Sequence, residues 1–309
     1  MQRRSHRALV ATAALLVSGV TNALPGQTKG DSLRVRLAER IAETSGAIVG
    51  IYYKSLGSGE LVTIAPDSSF HAASTMKVPV MIEFFRQVER KGLAEQQPVL
   101  LINQFASIVD GSPFSVAPVD DSDSTMYLRV GHRVPARELV ERMIVRSSNL
   151  ATNAVIALVG AARADSTAHA LGARNIRVLR GVEDGKAFQK GLNNTTTARD
   201  LGVLLEAIEK RSAASPRSCT AMLDILSRQE FNGEIPAGLP PGTRVAHKTG
   251  QITGVLHDAA LVYLPGKSPY VLVVLTRNIA NDRVARTLIA DLSRLVYEHV
   301  AGPAPAGTR

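Results

Sequence analysis

Three short segments carry side chains able to do chemistry together. Ser74-Thr75-Met76-Lys77 leads into an apolar helical pattern formed by Val78, Val80, Met81, Ile82, Phe84 and Phe85. Positions three apart share a helix face, so the Ser74 hydroxyl and the Lys77 amine can meet. A serine needs a base to become a nucleophile, and a lysine can supply it when desolvation lowers its pKa. Ser147-Ser148-Asn149 lies between two helical patterns. A hydroxyl there can relay a proton, and the Asn149 amide can hold a substrate carbonyl. His247-Lys248-Thr249-Gly250 follows Arg244-Val245-Ala246 and so closes a strand. Lys248 and Thr249 suit a carboxylate, a fixed charge beside a hydroxyl donor. Gly250 lets a substrate lie flat against the strand edge. Taken singly, each segment is ordinary: a serine cap with a surface lysine, an interhelical turn, a strand end.

Together, and in this order, the three match the S-x-x-K, S-x-N and K-T-G pattern. From about Asp31 to Val300 the chain therefore resembles the class A β-lactamases and the wider superfamily of penicillin-recognising serine hydrolases, as a divergent member. The resemblance implies that Ser74 is acylated by the substrate amide carbonyl, with Lys77 one candidate for activating it. Ser147 would pass a proton to the leaving nitrogen, helped by Lys248. Asn149 would bind the substrate side-chain amide, and Thr249 the substrate carboxylate. The backbone N–H groups of Ser74 and Gln251 would form the oxyanion hole, each such donor typically worth ~3 kcal/mol in the transition state.

Hydrolysis of the acyl-enzyme needs one residue more. Arg180-Gly181-Val182-Glu183-Asp184 stands where class A enzymes carry a glutamate, and Glu183 lies 34 residues beyond Asn149. The resemblance makes Glu183 the general base for the deacylating water. Several features depart from the family. No E-x-x-L-N pattern follows Glu183, and Asn194 replaces the aspartate of a loop-closing Arg–Asp pair. Asn193 is one candidate for the missing amide. Ser148 replaces the central aspartate of the second motif. The implied activity is that of a secreted serine β-lactamase. A D-alanyl-D-alanine carboxypeptidase or other penicillin-binding hydrolase shares every residue except the role of Glu183. A penicillin sensor that stays acylated is a third class, although such sensors usually carry transmembrane segments. The implied partner is a small β-lactam or a peptidoglycan peptide, with no cofactor and a monomeric state.

Composition bounds these readings. The 309 residues are 45% hydrophobic and 20% charged, enough for a large core. A lone Cys219 excludes an intramolecular disulfide and multi-cysteine zinc sites, and reads as packing. His71, His132 and His247 lack metal-ligand partners at suitable spacing, so no metal is expected, and His257-Asp258 reads as structural. No phosphate-binding glycine loop or basic-aromatic stripe points to nucleic acid. Arg3, Arg4 and Arg7 precede an apolar run from Ala8 to Val20 and a small-residue site ending at Ala23. That is the layout of a secretory signal over residues 1–23, too short to span a bilayer. Its cleavage removes three arginines and no acid, taking the net charge from +9 to +6. The mature chain, 24–309, is then expected in the periplasm or outside the cell, with no stable membrane insertion.

The positioning elements are legible as periodicity. A helix is expected from Asp31, capped by Asp31 or Ser32 and stacking Leu33, Leu37 and Ile41. Strands are expected over Ala47–Tyr53, Leu61–Ile64, Val255–Tyr263 and Tyr270–Thr276. An amphipathic helix over Asp282–Val300 would bury Val284, Leu288, Leu292 and Leu295. Helical patterns fill the middle, including Ala136–Val145, Leu150–Val159 and Ala198–Ile208. Asp110–Arg133 reads as a long irregular loop. The expected class is α+β. An antiparallel sheet from both chain ends (about 31–70 and 218–300), flanked by the terminal helices, carries an inserted helical lobe (about 71–217).

Overall fold

Strands from the two chain ends pair into one sheet. The computed structural model describes residues 29–302, so the signal-like segment lies outside the described residues. β1 (Ile48–Ser55) and β2 (Leu61–Ile64) precede β3 (Arg244–Ile252), β4 (Val255–Tyr263) and β5 (Tyr270–Arg277). The spatial order is β2-β1-β5-β4-β3. Every pairing is antiparallel, with Ile51 opposite Val274 where the two ends of the chain meet. β3 is an edge strand.

The helices are α1 (Lys29–Ala42), α2 (Lys77–Glu89), α3 (Ala136–Val145), α4 (Asn149–Val159), α5 (Ala161–Ala170), α6 (Gly185–Gln189), α7 (Ala198–Glu209), α8 (Pro216–Ser227) and α9 (Asp282–Ala301). Polar residues set several starts. Thr197 accepts a hydrogen bond from the Asp200 amide, Ser215 from that of Ser218, and Asn281 from those of Arg283 and Val284. Gly160 turns the chain between α4 and α5 at φ +85°, a conformation that other residues avoid.

Both faces of the sheet are covered, which explains its unbroken apolar runs. Val49, Ile51, Tyr53, Leu272 and Val274 join the core beneath α1 and α9. Tyr52, Val271, Val273 and Leu275 join the core shared with the helical region. Alternate residues of one strand thus enter two different cores. α7 lies so close to the sheet that a Cβ on Gly202 would fall 2.3 Å from the Tyr52 ring.

Three sequence expectations shift. Lys29 and Gly30 are already helical, ahead of the cap expected at Asp31 or Ser32. Val284 is 43% exposed, while Ala285, Leu288, Ile289, Leu292 and Val296 form the buried stripe of α9. Each four-residue step advances about 40° round a helix, so Val284 sits about 80° away from Leu292. α8, which straddles the expected lobe boundary, buries Cys219, Met222, Ile225 and Leu226 in the core of the helical side. The Asp110–Arg133 segment is mostly irregular. It holds a two-residue strand (Pro113–Phe114, paired with Phe105–Ala106) and 3-10 turns at Pro118–Asp120 and Ser124–Arg129.

Candidate active site

Ser74 lies in a 3-10 turn, Ala73–Met76, that runs directly into α2. Strand β3 presses against this turn. A Cβ on Gly250 would stand 3.1 Å from the Ser74 nitrogen and 3.2 Å from Ala73 Cβ. A glycine thus lets the strand approach the Ser74 turn without displacing it, before any substrate is considered. Ala73 is held at φ +45°, Ser147 at +55° and Glu183 at +61°, so left-handed backbone recurs around the site.

The expected contact between Ser74 and Lys77 is not formed: no hydrogen bond joins them among the described residues. Lys77 opens α2 and is fully buried, and its Nζ is drawn to other oxygens. These are the Ser147 carbonyl at 2.7 Å, Ser147 Oγ at 3.2 Å and Asn149 Oδ1 at 3.0 Å. From the other side Lys248 Nζ reaches Ser147 Oγ at 3.0 Å and the Thr249 carbonyl at 2.9 Å. Burial pushes the Lys77 amine well below the ordinary lysine range, and the charge of Lys248 adds to this. Burial also lowers Lys248, to about 7, against the opposing charges of Asp258 and Glu234. Lys77 donates to the Ser147 carbonyl, Asn149 Oδ1 and Ser147 Oγ, and the same hydroxyl oxygen also accepts from Lys248. One hydroxyl is thus poised between two amines.

Asn149 ties this pair to the acidic side. Its Nδ2 donates to the Asp120 carbonyl at 2.8 Å and to Glu183 Oε1 at 3.2 Å, while its Oδ1 receives Lys77. Ser74, Asn149 and Glu183 line one cavity of about 350 Å³, together with His71, Phe188 and Gln251. Loss of solvent in this cavity raises the Glu183 carboxyl above its ordinary value. The charge of Asp120 adds to the rise, and Lys77 and Arg180 oppose it. A carboxyl raised in this way has the basicity that general-base chemistry at neutral pH requires.

The loop carrying Glu183 closes without an ion pair. Asn194 Oδ1 accepts the amides of Leu179 and Arg180 at 2.8 and 3.1 Å, and its Nδ2 donates to the Arg180 carbonyl. The Arg180 guanidinium is spent on Leu192 O, Gly181 O and Asn193 Oδ1. Asn193 therefore serves Arg180 and does not replace the amide missing beside Glu183. Asp184 caps α6 and accepts from Ser107 Oγ and the Ile108 amide, fastening the loop to the chain segment facing it.

Sequence reasoning missed Asp121. Its Oδ2 accepts from Ser148 Oγ at 3.2 Å and from the Leu150 amide at 2.8 Å. The carboxylate absent from the centre of the second motif thus arrives from the irregular loop, beside a buried Asp123 that pairs with Arg142 and Arg146. The acidic run Asp120-Asp121-Ser122-Asp123 was the available signal. On the far face of β3, His247 meets Asp258 at 2.9 Å, and the Gln251 side chain bonds Asp282 and Arg286. His257 Nε2 donates to the His71 carbonyl at 2.9 Å, a bond that ties β4 to the segment before Ser74.

Known proteins resemble the chain over most of its length. A β-lactamase of Streptomyces albus G is 28% identical over 296 residues, covering 93% of this chain and 92% of the relative. The structure of PBP-A superposes with a TM-score of 0.76 at 29% identity, covering 90% of this chain and 99% of that one. A variant of PBP-A, solved as its acyl-enzyme complex with penicillin G, gives 0.75 at 30% identity over 87% of this chain and 96% of its own. With the model of the beta-lactamase enzyme family matching residues 32–300, the chain belongs to that family.

Proposed function

We propose that the protein is a secreted serine β-lactamase that hydrolyses the β-lactam amide through an acyl-Ser74 intermediate. The observation that carries this reading is the common cavity of Ser74 and Glu183, with Asn149 bridging Glu183 to Lys77. Ser74 Oγ attacks the lactam carbonyl and gives up its proton, for which Lys77 as a free amine is one candidate acceptor once the bound substrate brings the two side chains together. The backbone N–H groups of Ser74 and Gln251 receive the oxyanion. As the C–N bond breaks, the Ser147 hydroxyl gives its proton to the leaving nitrogen and is reprotonated by a neighbouring lysine. Lys248 and Thr249 hold the substrate carboxylate. Glu183 then takes a proton from water, the hydroxide cleaves the Ser74 ester, and Ser74 Oγ recovers its proton.

A second reading has its own support. Glu183 lacks the following amide of the family pattern, and PBP-A is among the most similar folds. In that reading Ser74 is acylated and hydrolysis is slow, as in a penicillin-binding peptidase. Mixing the purified protein with a chromogenic cephalosporin while following absorbance and protein mass separates the two. Sustained turnover supports the β-lactamase, one stable equivalent of adduct supports the penicillin-binding protein, and no reaction defeats both. From the signal-like N-terminus we further propose that the mature protein works in the periplasm or medium, which fractionation and N-terminal sequencing test.

A further inference from the structure

The cavity is selective in what it excludes. Ser147, Lys248 and Thr249, which serve the leaving nitrogen and the carboxylate, are not among its lining residues. Ser74, Asn149 and Glu183 stand in its wall, as do His71, Phe188 and Ile252. A substrate with its carbonyl at Ser74 and its leaving nitrogen at Ser147 therefore places its acyl portion here.

An aromatic pair gives this part of the wall its character. Phe188, on the short helix α6, is 56% exposed and packs edge-to-face on the His71 ring, centroids 6.4 Å apart. His71 Nδ1 accepts the Ala73 amide at 3.0 Å, so the neutral ring carries its proton on Nε2. No protein acceptor meets that N–H among the described residues. Burial and the charge of Arg180 keep the imidazole below its ordinary pKa. The ring is also firmly placed: its residue pairs with Thr195 in a short ladder, and its carbonyl is held by His257. Glu183 opposes a second anion in the cavity, and the Arg180 guanidinium already serves Leu192, Gly181 and Asn193.

We propose that His71 and Phe188 form an acyl side-chain subsite that favours β-lactams whose acyl group bears an uncharged aromatic ring. The inference rests on the β-lactam reading of Ser74. The ring packs on the exposed face of Phe188 and removes apolar area from water, while His71 offers its Nε2–H to an acceptor on the acyl group.

The test compares kcat/KM for benzylpenicillin and for 6-aminopenicillanic acid, which lacks the acyl side chain. The parent prefers benzylpenicillin. In Phe188→Ala that preference falls about ten-fold, through KM more than kcat, and in His71→Ala about three-fold. Phe188 is more than half exposed, so the melting temperature of its alanine variant stays with the parent's and unfolding does not explain the fall. A parent with no preference, or a Phe188→Ala preference within about two-fold of the parent's, overturns the subsite alone. If mass spectrometry finds no adduct on Ser74 and no turnover with either compound, the β-lactam reading falls and the subsite with it.

Discussion

The Ser147 hydroxyl between two lysine amines sets the chemistry at the residue scale. Lys248 is lowered to about 7 by burial, so in the free protein it loses its proton just as pH passes neutrality. The ammonium form is the one that holds a carboxylate. The sign is therefore fixed: kcat/KM falls on the alkaline side of about pH 7, close to ten-fold per unit at full limb. A bound carboxylate favours the ammonium, so the corresponding limb in kcat lies higher, and pH profiles of both constants check this. Glu183 is raised by burial, and in the proposed mechanism protonating it removes the base for deacylation. Deacylation should therefore fade on acidification before ordinary carboxylates titrate. Glu183→Gln is expected to acylate near the parent rate and then accumulate adduct, with steady-state turnover down by about 10²–10⁴-fold. Intact-protein mass spectrometry after mixing with penicillin decides it, and a variant that turns over normally would assign the base elsewhere.

Two elements meet at the nucleophile, and the fit between them is tight. β3 touches the Ala73–Met76 turn through Gly250, where only hydrogen fits without displacement. Gly250→Ala should move the strand by a few tenths of an ångström and misalign Lys248 and Gln251 against Ser74. Acylation is expected to slow by about 10–100-fold, with a stability loss of only about 1 kcal/mol. Stopped-flow acylation and thermal melts distinguish those effects. The start of α4 depends equally on a distant element. Asp121 accepts four donors, Leu150 N, Ser148 Oγ, Tyr127 Oη and Asp123 N. Asp121→Asn turns one of those acceptor positions into a donor facing a donor. It should cost about 1–2 kcal/mol and slow acylation through Ser147 and Asn149, read by denaturant unfolding and adduct formation. In the sequence this support showed only as an acidic run, because a carboxylate 27 residues before Ser148 has no local pattern linking it to the motif.

At the scale of the whole molecule, one sheet serves two cores, and neither survives without it. Leu288→Ala, in the core remote from Ser74, should cost about 2–5 kcal/mol. Because the strands are shared, far-UV dichroism and the capacity to be acylated should be lost at the same urea concentration. A separate, earlier loss of one would show lobes that unfold independently. Much of this design was legible beforehand. Val255–Tyr263 and Ala136–Val145 match their observed elements, since local periodicity and turn residues determine where regular structure forms. The three motifs pointed to Ser74, Lys77, Ser147 and Lys248, of which the structure joins the last three by hydrogen bonds to one hydroxyl. The Val284 face and the Ser74–Lys77 contact were misjudged, since both depend on what lies opposite. A helical wheel does not know which angle meets the sheet, and spacing does not know that Ser147 and Asn149 will outcompete Ser74 for the lysine. Residue types and order along the chain thus determined the class of chemistry and the elements that carry it. Only tertiary structure decided the directions: which oxygen each amine faces, which carboxylate caps α4, and which side chains wall the cavity at Ser74. Those depend on contacts between residues 27 to 101 positions apart, for which a linear pattern holds no record.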